Sequence, residues 1–220
     1  MNLANFVRMK FKRVIFHIDA NSAFLSWAAV KLIAEGQPDI RLVPSVVSGD
    51  PSDRRSIVTA ASMPAKRLGV RTAEPIGMAL RTCPDLVIVH SDWAWYKQCS
   101  DAFMEICRSY SPVLQKFSID ECFIDMTFRL YRKDPVEVAT ALKDDIRSRL
   151  GFTVNVGIGP NKLLAKMASD FEKPDKVHTL WKEEILHHIH LNALQSSSAK
   201  NDRSFKLRIQ VERRTLFRRT

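Results

Sequence analysis

The chain has 220 residues, of which 45% are apolar and 26% charged, the make-up of a globular protein large enough for one or two domains with a real core. No run of 18 or more apolar residues occurs, which argues against a membrane-spanning helix, and the basic start "MNLANFVRMKFKR" leads into "VIFHIDANSAF" rather than a long apolar stretch with a small-residue cleavage site, so the sequence reads as cytoplasmic. The net charge of +10 points to a polyanionic partner, yet it sits at the ends: residues 1–13 carry four basic and no acidic side chains, 187–220 carry eight basic and two acidic, and 14–186 are formally neutral.

The first predicted element is a buried strand at "RVIFHID", residues 13–19, ending on Asp19. "NSAFLSWAAVKLIAEG" follows as a helix, with Asn21 or Ser22 as its cap and Gly36 as its stop. "LVPSVVSGD" and "SIVTAAS" read as a strand pair, and after them come a short helix, a turn at Gly69, a helix over 75–82 and a strand over 86–90. Residues 92–110 form a long amphipathic helix capped by Asp92. "VLQKFSIDECFIDMT" is strand, bend at 119–121, strand; "DPVEVATALKDDIRSRLG" is a helix from Asp134 to Gly151; "FTVNVGIG" is a strand running into the helix of "PNKLLAKMASDFEKPD". Cys83, Cys99, Cys107 and Cys122 fit neither a zinc spacing nor a disulfide framework and read as core thiols. "HHIH" at 187–190 lacks a partner ligand at a metal-binding spacing and reads as a solvated or irregular segment. Beyond residue 186 the sequence is Ser-rich and Arg-rich with weak periodicity, the pattern of loosely ordered chain.

With residues 23–90 set aside as an insertion, the order is β, α, β, β, α, β, that of a ferredoxin-like α+β fold. In this order the strand ending at Asp19 lies beside the hairpin carrying Asp120 and Glu121. Three converging carboxylates repel one another unless a cation compensates. Hard oxygen ligands suit Mg²⁺, and two such ions roughly 3.5 to 4 Å apart would support an in-line displacement at phosphorus, that is, nucleotidyl transfer. Taken alone, the Asp-Glu pair reads more readily as common turn chemistry at a hairpin bend. Asp125 alternates with its neighbours, sits farther from the bend and reads as structural. "GIGPNKLLAK" places Lys162 in the first turn of a helix, where free amides and the dipole favour anions, although a lysine there is commonly just solvated.

"VIFHIDANSAFLSW", "IVTAASMPAKRLGVRTAEP" with "CPDLVIV", "FSIDECFID" and "VGIGPNKLLAKMASDFEKPD" occur in the order in which their counterparts stand in the Y-family translesion DNA polymerases of the UmuC/DinB class, and the chain resembles a bacterial UmuC-type member over about 13–182. The resemblance implies a right-handed polymerase with residues 13–22 and 91–170 as palm, 23–90 as small α/β fingers, 1–12 as a basic leader, and 171–220 as a thumb remnant with a divergent, poorly ordered tail. It places Asp19, Asp120 and Glu121 on the metal-binding carboxylates, with the Ala20 carbonyl as a further ligand of two Mg²⁺ ions. Phe24 falls on the steric-gate position beneath the incoming sugar, and Lys66 and Lys162 on triphosphate contacts. Implied partners are primer-template DNA, deoxynucleoside triphosphates and a sliding clamp or other repair protein, in the SOS response to DNA damage.

Departures from the pattern are specific. Asn21 stands where the family often has a second acid, Met63 replaces a phosphate-binding tyrosine whose hydroxyl Ser62 could supply, and Lys66 keeps an arginine's charge without its bidentate geometry. The resemblance stops after "LWKEEI", short of the family's thumb and little finger, so a truncation or shifted reading frame with weak, distributive DNA binding is expected. Two other readings stay open: a non-catalytic DNA-repair remnant or partner of a complete polymerase, and a nucleotidyl cyclase, whose Gly-Gly-Asp-Glu-Phe hairpin is here replaced by "SIDEC".

Overall fold

The computed structural model describes residues 13–50, 53, 55–130 and 133–185. The basic leader, the 187–190 histidines and the Arg-rich tail therefore lie outside the described residues. The described chain up to Leu180 belongs to one unit, and from Trp181 onward to a second, whose described part is a 3-10 turn at Lys182–Glu184.

The larger of two sheets is built around β1, Ile15–Ala20, whose six residues are all buried, as a β-branched and aromatic run requires. β5 (Leu114–Lys116), β6 (Glu121–Asp125), β7 (Val154–Gly159) and β8 (Val177–Thr179) complete it in the order β5-β6-β1-β7-β8. β1 is antiparallel to both β6 and β7. Its first four strands in this order, with α4 (Trp93–Tyr110) and α5 (Pro135–Leu150) between them in sequence, give the expected ferredoxin-like topology. β8 is an addition that sequence patterning did not reveal. Three residues are too short for a periodic signal, and the strand exists because it pairs in parallel with β7, Val156 opposite Val177.

Residues 23–90 build the second sheet. β2 (Ser45–Ser48) lies between antiparallel β3 (Val58–Ala61) and parallel β4 (Val87–His90), with α1 (Ala23–Ala34), α2 (Met63–Arg67) and α3 (Ile76–Thr82) around it. Val46, Val58, Ala65, Ile76 and Ala79 form its core. Caps behave as their residue types predict at four helices: Ser62 accepts from Ala65 N, Asp92 from Trp95 N, Asp134 from Val136 N, and Asn161 from Leu164 N. Ser22 differs. It adopts φ 47° without a side-chain cap bond, because strand β1 becomes helix α1 within two residues and Asn21 is already committed to Asn155 and to the Asp175 amide.

The two faces of the large sheet are covered differently. Phe16, Ile18, Cys122 and Ile124 are fully buried on the side of α4, where Cys107 meets Cys122. Each such apolar side chain contributes roughly 1.5–3 kcal/mol of burial. All four cysteines are buried free thiols. The opposite face carries His17 and receives α6, Lys162–Ser169. There, Gly157 and Gly159 let the helix settle directly onto β7: a Cβ at 157 would collide with the Ala165 carbonyl oxygen and the Ser169 amide nitrogen, and one at 159 would lie 2.8 Å from Ala165 N. No helix among the described residues is long and apolar enough to cross a membrane.

Candidate active site

Strand register brings the predicted acids together. Asp19, next to last in β1, lies directly opposite Glu121, the first residue of β6, so their side chains share one face and one end of the sheet. Glu121 thus belongs to the strand rather than the bend, and the bend presents Asp120, whose carbonyl accepts from Ala20 N at 3.0 Å. Ser118 Oγ donates to Asp120 Oδ1 at 2.6 Å and fixes that carboxylate. Asp19, Ala20, Asp120 and Glu121 all line one cleft of about 490 Å³, and Phe24, Met63 and Lys66 line it from the insertion side.

Phe24 is half-buried, its ring centre 5.1 Å from that of Tyr96, 5.3 Å from Trp93 and 6.0 Å from Trp27. This aromatic surround fixes the ring while leaving one side to the cleft. Two predicted residues are not brought there. The Ser62 hydroxyl is buried, donating to Val43 O and accepting from Ser45 N and Ala65 N, so it is used up in capping α2 and joining it to β2. Lys162 lies over the same sheet face but away from the cleft, where its Nζ donates to Gln115 Oε1 of the edge strand and lies 6.0 Å from the Phe123 ring. Asp125 shares Glu121's face of β6 but lies at the other end, opposite Ile15 and outside the cleft, where it accepts from Thr127 N at 3.0 Å.

A residue that sequence reasoning passed over takes Lys162's expected place. Lys173 lines the cleft, and its ammonium pairs with Asp19 and, at 2.9 Å, with Asp170. Its only sequence signal is "EKPD" after the helix, which says nothing of where the chain returns. Burial would lower its pKa, but the bonds to Asp19 and Asp170 outweigh that and raise it. Asp19 shows the reverse balance: burial, with Glu121 and Asp120 adding repulsion, pushes its pKa up despite Lys173.

Among the described residues no three His, Cys, Asp or Glu side chains are already drawn around one point, because Asp19 and Glu121 are each turned to a lysine. The donor set nevertheless fits a hard divalent cation: three carboxylates and a carbonyl on one cleft wall, with Asp19 held in the electrostatic strain that such a cation would relieve.

Beneath the acids, burial and the neighbouring Lys166 lower the His17 pKa to about 4, against 6.5 when unfolded. The unfolded chain takes up this proton as pH falls below 6.5, whereas the folded chain resists until about 4. The stabilisation is therefore complete above pH 6.5 and is lost towards pH 4. Urea unfolding of His17→Gln should show a shallower fall in stability across that window than the parent chain, and equal slopes would contradict this.

Known proteins resemble this chain over most of its length. The model of the impB/mucB/samB family matches residues 18–170. DNA polymerase IV of Clostridium acetobutylicum is 47% identical over 174 residues, which cover 79% of this chain and 44% of the relative. DNA polymerase IV 1 of Bacillus subtilis is 36% identical over 173 residues, covering 79% and 41%. The chain thus spans less than half the length of these relatives. Among solved structures, DinB from Sulfolobus solfataricus superposes with a TM-score of 0.69 at 27% identity over 78% of this chain and 49% of its own. An insertion ternary complex of Dbh DNA polymerase gives 0.68 at 25%, over 78% and 50%. On these grounds the chain belongs to the impB/mucB/samB family, with the fold of the Y-family DNA polymerases.

Proposed function

We propose that the chain carries the palm and fingers of a template-directed translesion DNA polymerase, the five-stranded sheet serving as palm and the three-stranded sheet as fingers. The observation that carries this reading is the Asp19–Glu121 register pair, with Asp120 beside it, at the wall of a cleft faced by Phe24, Lys66 and Lys173. Two Mg²⁺ ions bound there would activate the primer hydroxyl and stabilise the leaving pyrophosphate. Asp19, Asp120, Glu121 and the Ala20 carbonyl would hold them. Lys66 and Lys173 supply positive charge for a triphosphate, and Phe24 lies where the sugar edge would rest. The substrates would be primer-template DNA and deoxynucleoside triphosphates, met in the cytoplasm.

The test is extension of a labelled primer by the full chain with Mg²⁺ at low salt. Addition of even single nucleotides supports the reading. No extension at high enzyme, with DNA binding that survives Asp19→Ala, would instead favour a non-catalytic partner. Within this reading, Phe24→Ala should raise ribonucleotide relative to deoxyribonucleotide incorporation by about 100-fold, the discrimination a shaped site achieves against one hydroxyl. An unchanged ratio in single-nucleotide insertion would remove Phe24 from sugar selection.

A further inference from the structure

Glu121 is gripped from behind the cleft. Lys166 on α6 donates from Nζ to Glu121 Oε2 at 2.6 Å and rests 4.9 Å from the centre of the Phe117 ring, a charge-assisted bond with a cation–π contact beside it. Glu121 lines the cleft and Lys166 does not. The lysine's position follows from the backbone: with no side chain at Gly157, α6 sits low on the sheet, which lays Ser169 against His17 and Lys166 against Glu121.

The neighbouring network assigns the protons. Ser169 Oγ donates to the Lys166 carbonyl at 2.8 Å, which uses its one hydrogen. The 2.7 Å bond between Ser169 Oγ and His17 Nδ1 therefore runs from the imidazole N–H to the hydroxyl. His17 Nε2 is fully buried and lies 3.5 Å from Glu121 Oε2, well beyond the 2.6 Å of the Lys166 bond to the same oxygen. The attraction that holds Oε2 comes from Lys166.

We propose that Lys166 is a positioning residue: by holding Glu121 Oε2 behind the cleft, it presents the other carboxylate oxygen to the divalent cation that Asp19 and Asp120 also ligate. The inference rests on the metal-binding reading above. It opposes a simple charge argument, in which removing a nearby ammonium would strengthen cation binding.

Mn²⁺ binding to the full chain, followed by electron paramagnetic resonance without DNA or nucleotide, separates the two. Lys166→Met should weaken Mn²⁺ binding by about 10-fold, as loss of a group that orients a metal ligand typically does. Lys166→Arg, which keeps charge and donors, should recover most of that loss. In a Glu121→Gln background Lys166→Met should cost nothing further. Lys166 is about one-third exposed, so the fold is expected to survive, and circular dichroism of each variant checks it. If Lys166→Met binds Mn²⁺ as tightly as the parent chain or tighter, the positioning role is overturned while the metal site stands. If the parent chain binds no Mn²⁺, or binds it equally well as Asp19→Asn and Asp120→Asn, both the site and the role of Lys166 fall.

Discussion

If the chain is the polymerase proposed above, Asp120→Asn is expected to lower primer extension by about 1,000-fold while leaving the fold intact, because it would remove several kcal/mol of charge stabilisation at the proposed cation site, at 1.36 kcal/mol per tenfold in rate. The substitution is conservative in every other respect. Asparagine keeps an oxygen to accept from Ser118 Oγ, and the contact to Ala20 N is made by the backbone carbonyl. Asp120 is half-buried at a bend, so no apolar packing is lost. Single-turnover extension with circular dichroism on the same sample is the measurement. Activity within about tenfold of the parent chain would show that Asp120 bears no essential cation, since one lost ligand charge should cost more than that.

The second large effect is on stability. Gly157→Ala is expected to destabilise the chain by about 3 kcal/mol or more, at or beyond the upper end of overpacking penalties, because the added methyl meets main-chain atoms of α6 rather than a movable side chain. The helix must lift or tilt, and Ser169 and Lys166 then leave His17 and Glu121. Urea denaturation should show the loss directly. A midpoint unchanged from the parent chain would mean that α6 does not lie as close to β7 as the structure places it. At Gly36, where nothing lies within 4 Å, the problem is the positive φ of 78° instead, so an alanine there should cost far less.

Much of the scaffold was legible because its signals are local. "RVIFHID" carries the composition of a buried strand, Asp92 and Asp134 cap the helices they precede, and Gly151 ends its helix with φ 73°. The site was legible to the extent that topology alone brings Asp19 beside Glu121. Errors of placement came where a residue's role depends on reach. Lys162 has the spacing of a phosphate-binding lysine at a helix start, yet its side chain leaves towards Gln115, while Lys173 arrives at Asp19 from a loop. Ser62 follows the strand at the right distance to face a phosphate, but a hydroxyl that caps a helix and bonds a strand has no free hydrogen bond to offer. Phe24 reads as ordinary helix core by periodicity and becomes a cleft residue because Trp93 and Tyr96 of another helix leave one side of its ring open.

By itself, then, the amino-acid sequence determined the strands and helices apart from β8, and their ferredoxin-like order, since hydrophobic period, caps and turn residues act over a few positions. Only the tertiary structure decided which cations meet Asp19 and Glu121. That choice depends on how closely α6 approaches β7 at Gly157 and where the chain returns at Lys173, and such distances follow from packing between segments far apart in the chain.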